Sequence, residues 1–168
     1  MITRISVVLL LAVLLVFTAC SSPATMAQSK LRSSEHLITE DASQFALAIS
    51  DFEPGWTQSD SGPTTQQGAQ SAYQSYFYQG IFYPPVIQNT VAVYSSVDLA
   101  QQVYLSEVPK DVSLENPKIG DESFLDISIP IFKRLIFRKN NVVVWIWLQQ
   151  DTLGDIKPYA KIIEGKIR

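Results

Sequence analysis

Few side chains in this 168-residue chain could carry covalent or acid–base chemistry, and they are scattered. There is one cysteine, Cys20, and one histidine, His36. A thiolate–imidazole or hydroxyl–imidazole–carboxylate set would have to borrow His36 from a run of small polar residues, where a histidine is ordinarily solvated. A zinc site built from His and Cys lacks ligands. No G-x-S-x-G elbow, P-loop, H-E-x-x-H or C-x-x-C occurs. The remaining acid–base candidates are carboxylates: Asp121-Glu122 beside a turn, and Asp151 and Asp155 around Gly154. Paired carboxylates cleave glycosidic bonds or hold Ca²⁺, but adjacent acids in turns are most often structural. The aromatic residues Tyr76, Tyr78, Phe82, Tyr83, Trp145 and Trp147 either line a pocket for an apolar or sugar ligand or fill the core beneath helices. Phe82, Tyr83, Trp145 and Trp147 are the candidate contacts for a ligand or partner.

Cys20 acquires meaning from what precedes it. Arg4 and the amino terminus are followed by eleven uninterrupted apolar residues, Val7 to Phe17, then by Thr18 and Ala19. This is the three-part order of an export signal. The run is too short for a membrane span, which needs about 20 apolar residues. Phe17-Thr18-Ala19-Cys20 resembles the lipobox of bacterial lipoproteins, with Phe17 standing where Leu is usual. The resemblance covers residues 1–22. It implies cleavage between Ala19 and Cys20, a thioether-linked diacylglycerol on Cys20, and acylation, as by palmitate, of the new amino group. One acyl chain holds a protein only marginally, whereas two or three on one residue make a durable anchor. A lone cysteine also precludes an intrachain disulfide although export would permit one.

The leader contains Arg4 and no acid, so the mature chain of 149 residues carries 12 basic and 16 acidic side chains, net −4. That balance argues against a nucleic-acid binder, which should show a basic stripe. The length suits one domain and a tether. The expected organisation is a signal peptide over 1–19, lipidated Cys20 and a flexible small-residue tether over 20–40, and one globular domain over 41–168. No later segment is long and apolar enough to cross a bilayer.

The elements of the body follow from periodicity and turn residues. Phe45 to Ile49 fits a strand alternation or one helix face, with Asp41 or Ser43 as cap; a strand or short irregular element is expected. Pro54-Gly55 turns the chain and Trp56 opens a strand. Ser71–Gln79 places Tyr73 and Phe77 on one strand face and Tyr76 and Tyr78 on the other. Asn89–Tyr94 is a further strand. Ser96 or Asp98 caps a helix to about Glu107, its buried stripe Leu99, Ala100, Val103 and Tyr104, and Pro109 stops it. Glu122–Ile129, Ile131–Arg138 and Val142–Gln149 are strands, the last two joined by an Asn-rich turn. Val142-Val-Val-Trp-Ile-Trp-Leu148 is apolar on both faces, which marks a central strand covered on both sides. Asp155 caps a last helix with an apolar stripe at Ile156, Tyr159, Ala160, Ile163 and Ile167.

The fold class is therefore α+β: an antiparallel sheet of about six strands flanked by helices. With Pro54-Gly55-Trp56 near its start, this element order is similar to PsbP-like domains, antiparallel sheets flanked by helices found in photosynthetic assembly factors and bacterial lipoproteins. The likeness spans residues 45–168 and carries over no functional residue. The functional expectation is a lipid-anchored extracytoplasmic protein of the bacterial cell envelope, non-enzymatic, without cofactor or metal, serving as a binding or scaffold module. Its partners would be the membrane through Cys20, an envelope protein or an apolar small molecule, and not nucleic acid. The alternatives are a carrier of a lipid or other apolar ligand and a carboxylate-dependent envelope hydrolase.

Overall fold

A computed structural model describes residues 36–80, 85–110, 112–149 and 154–168. Eight regular elements follow in chain order: β1 (Trp56–Pro63), β2 (Ala69–Gln79), β3 (Val86–Tyr94), α1 (Val97–Glu107), β4 (Glu122–Ile129), β5 (Phe132–Lys139), β6 (Val142–Gln149) and α2 (Lys157–Lys166). Three strands, a helix, three strands and a helix is the order that periodicity and turns predict. The strands form one antiparallel six-stranded sheet in the order β1-β2-β3-β6-β5-β4, so the fold is α+β. No helix among the described residues is long and apolar enough to cross a membrane.

β6 lies between β3 and β5, as its two apolar faces require. Val142, Val144, Ile146 and Leu148 enter a core with α2, whereas Val143 and Trp145 enter a second core with α1. Asn140-Asn141 turns β5 into β6, and Asn140 takes a positive φ of 53°, which asparagine tolerates better than most residues. Ser96 caps α1 by accepting the Leu99 N–H at 3.2 Å. α2 buries Ile156, Ala160, Ile163 and Ile167 and half-buries Tyr159. Asp155 lies one residue before the N-cap position, Ile156, and its carboxylate accepts the Lys157 N–H at 3.0 Å. Pro158 is tolerated because it stands in the first turn. Gly120, at φ 66°, lies so close to β5 that any Cβ would strike the Arg138 carbonyl.

Residues 36–52 depart most from expectation. Phe45–Ile49 is no strand: two 3-10 turns, Ala42–Gln44 and Ile49–Asp51, flank an irregular stretch in which Phe45, Ala46 and Leu47 are buried. The irregular reading of this segment holds. An irregular backbone in a core must find hydrogen-bond partners, and polar side chains on the sheet provide them. Ser71 Oγ accepts from Ala42 N–H at 3.0 Å, Asn89 Oδ1 accepts from Leu47 N–H at 3.0 Å, and Ser75 Oγ donates to the Leu47 carbonyl at 3.3 Å. Asn89 Nδ2 has no protein partner among the described residues.

The packed body also begins earlier than its polar composition suggests. His36 is exposed, but Ile38, which falls within the expected tether, is buried. Asn141 accepts from the Ile38 N–H at 2.7 Å and donates to the Ile38 carbonyl at 2.8 Å and the Tyr94 carbonyl at 2.6 Å. A single isoleucine among polar residues gives no periodic signal, and its clamp lies 103 positions away.

Candidate functional site

The carboxylates can be placed first. Asp121 and Glu122 converge on Arg138, which is buried: its Nε donates to Glu122 Oε2 at 2.8 Å, and its Nη1 to Asp121 Oδ2 at 3.0 Å and the Asn140 carbonyl at 2.7 Å. The pair therefore holds the start of β4 against the β5–β6 turn. Asp155 is spent on the entrance to α2. Asp151, like Phe82 and Tyr83, lies outside the described residues, as do Ala19 and Cys20. Among the described residues no group of three or more His, Cys, Asp or Glu could hold a metal ion.

The aromatic candidates do come together, because cross-strand partners share a face of a sheet. On the α1 side, one row runs Tyr76, Gln88, Trp147, Arg134, Asp126 across β2, β3, β6, β5 and β4. The next row is Gln74, Thr90, Trp145, Ile136, Phe124. Outside the first lies Tyr78, Val86, Gln149, Phe132, Ile129. α1 decides the fate of each. Tyr104 packs against Phe124 with ring centroids 5.9 Å apart and planes tilted by 52°, so the helix covers the β5–β4 side of the second row. Trp145 is 3% exposed and belongs to the core, whereas Trp147, Tyr76, Tyr78 and Gln88 stay half-buried. Of the two indoles expected at a contact surface, Trp147 reaches solvent and Trp145 forms a floor.

Among the described residues, hollows open on this face at two places. One, of about 430 Å³, lies between α1 and the β1–β2 turn; its floor includes Trp145 and Tyr94, and its rim Gln66, Gln102 and Glu107. The other, about 300 Å³, has Trp147 and Phe132 as apolar walls and Arg134, Asp126 and Ser128 as polar ones. The Arg134 guanidinium joins their rims, 3.8 Å from Glu107 and 3.6 Å from Asp126, and also stands 5.5 Å from the centre of the Phe124 ring. Hydrogen bonds from the Ser128 hydroxyl and N–H hold the Asp126 carboxyl below its usual range, and Arg134 adds to this. Burial, with Glu107 adding, pushes the Tyr94 hydroxyl up to about 12. It stays a neutral donor and acceptor at physiological pH.

A third concavity, about 540 Å³, follows the β4 edge on the α2 side. Leu125, Ile127, Ile129 and Pro130 give it an apolar wall, and Lys133 and Lys157 stand at its rim. Both lysines are engaged: Lys133 donates to the Gly154 carbonyl at 2.8 Å, and Lys157 lies 3.4 Å from Glu115.

Pattern reasoning finds the faces of β2 and β6 but not the polar partners of the aromatic rings. Gln88 and Arg134 enter the row only through register, which the turns set. Comparison with protein-family models, with curated proteins and with solved structures finds no match to this chain. The likeness in element order to PsbP-like domains therefore gains no support from a relative.

Proposed function

We propose that this chain is an extracytoplasmic lipoprotein of a bacterial envelope, anchored through lipidated Cys20, whose body serves as a binding module. The observation that carries the reading is the apolar run Val7–Phe17 ending in Thr18-Ala19-Cys20, with Cys20 the sole cysteine. Acylation accounts for that cysteine better than redox or nucleophilic chemistry does, because it follows directly on an export signal. The half-buried aromatic row on the α1 side supports binding as the task of the body. Its rings and amides are what a ligand surface uses. The engagement of Asp121 and Glu122 by Arg138 makes the hydrolase reading the weaker of the two.

The test is metabolic labelling of the full chain with a clickable palmitate. Wild type incorporates the label and fractionates with membranes; Cys20→Ala does neither. A labelled Cys20→Ala protein, or an unlabelled wild type in the cytosol with residues 1–19 retained, refutes the anchoring.

A further inference from the structure

We infer that the half-buried row Tyr76, Gln88, Trp147 and Arg134 on the α1 face binds a neutral glycan chain laid across the strands. This deepens the binding-module reading above and rests on it. The composition of the row points to the ligand. Tyr76 and Trp147 alternate with Gln88 along one line of cross-strand partners, and all three are half-buried. A ring offers a flat apolar surface to the C–H face of a pyranose. A carboxamide both donates and accepts, so it can meet neighbouring hydroxyls that do the same.

The charges narrow the choice. Arg134 is the cation of the row, and it is more than offset by Asp126 and Glu107, with Asp60 of β1 paired to Tyr76 at the other end. A polyanion such as nucleic acid or an acidic lipid surface would need surplus cations. A purely apolar chain would strip water from Gln88 and Arg134 without replacing it, which is costly. A hydroxyl-rich, uncharged ligand meets both conditions.

Spacing agrees with a polymer. Neighbouring strands stand about 4.8 Å apart, so Tyr76 on β2 and Trp147 on β6 are separated by about 10 Å. One strand spacing is close to the length that one pyranose adds to an extended, equatorially linked glycan, so alternate sugars would meet alternate rings. The line ends at the Arg134–Asp126 pair in the smaller hollow, where a terminal sugar would find both a donor and an acceptor. Within the body, the row lies well along β6 from Asn141, which holds Ile38. Ile38 docks at Asn141, and Trp147 lies five residues past Val142, about 17 Å along β6.

The experiment titrates the full chain, held in a detergent without a sugar headgroup, with chitotetraose and cellotetraose while tryptophan emission is followed. A saturable change with at least one of them is expected. Trp147→Ala should weaken it roughly tenfold or more, about 1.4 kcal/mol, and Gln88→Ala several-fold. Trp56→Phe, on the α2 side, should leave the affinity unchanged. If Trp147→Ala fails to fold, Gln88→Ala, between the two rings and half-buried, decides the matter. No saturable response in the millimolar range overturns the proposal, as does an affinity that Gln88→Ala leaves unmoved. Binding of anionic vesicles or RNA in place of either sugar overturns the glycan while leaving a binding module. Failure of Cys20 labelling alongside sugar binding removes the anchor and leaves this site standing.

Discussion

Replacing Asn141 by alanine should release the first residues of the body while the sheet stays folded. Asn141 is fully buried, and its side chain makes three hydrogen bonds, two to Ile38 and one to the Tyr94 carbonyl. A rigid response would leave three backbone groups buried without partners, at about 1–3 kcal/mol each. A cheaper response exists. If residues 36–40 lift away, water reaches all three groups, and the main loss is the burial of Ile38, about 1.5–3 kcal/mol. Thr39 and Glu40 are exposed and already loosely held, so the backbone freedom regained is mainly that of Ile38, about 1–2 kcal/mol, and it offsets part of that. The expected drop in global stability is therefore about 1–3 kcal/mol, well short of the rigid sum. Urea unfolding of the full chain measures it, and amide hydrogen exchange locates it. Ile38 should lose its protection while Val144 and Ile146 keep theirs. Asn141→Asp should be worse at neutral pH, because a carboxylate would face two carbonyl oxygens, and it should recover partly on acidification. Unchanged protection at Ile38 would refute the clamp. A loss above about 6 kcal/mol would show that the segment and the sheet unfold as one unit.

Two further outcomes follow from the ion network and the buried tyrosines. The Arg138 side chain is 9% exposed, whereas those of Asp121 and Glu122 are 45% and 30% exposed; Asp121→Asn with Glu122→Gln should cost about 3–5 kcal/mol by stranding a buried cation, and Arg138→Met should cost distinctly less because both acids can turn to water, so equal losses in chemical denaturation would contradict this asymmetry. Burial pushes both Tyr94 and Tyr104 up to about 12. Their unfolded forms ionise near 10, so their contribution is whole below that pH and is lost between about 10 and 12, at up to about 2.7 kcal/mol for each. Tyr94→Phe should flatten the alkaline fall in stability, and an unchanged slope would count against the shift.

How far the residues alone reveal this protein depends on the distance over which each interaction acts. Eight elements and the central place of β6 are legible because Val142–Leu148 declares two apolar faces within seven residues. Tyr76 and Tyr78 can be put on one face for the same local reason. That Trp145 is floor and Trp147 is surface cannot be read so, because the difference lies in where α1 crosses the sheet. The partner of Asp121 and Glu122 sits 16–17 positions away across a hairpin register. The segment from Ile38 to Phe52 is the least legible. Its backbone is satisfied by side chains from β2, β3, the β5–β6 turn and α2, and no pattern within the segment announces them.

That segment also stores length. Residues 38–52 are fastened to the body by isolated side chains rather than by a ladder: first Asn141, then Ser71, then Ser75 and Asn89, and finally Lys166 of α2, which donates to the Ala46 carbonyl at 2.9 Å and to Asp51 at 2.6 Å. A steady pull on the amino end would open these latches one after another and leave the six strands intact. Fully extended, these residues span about 50 Å, and that length of chain would straighten before the load reached β1.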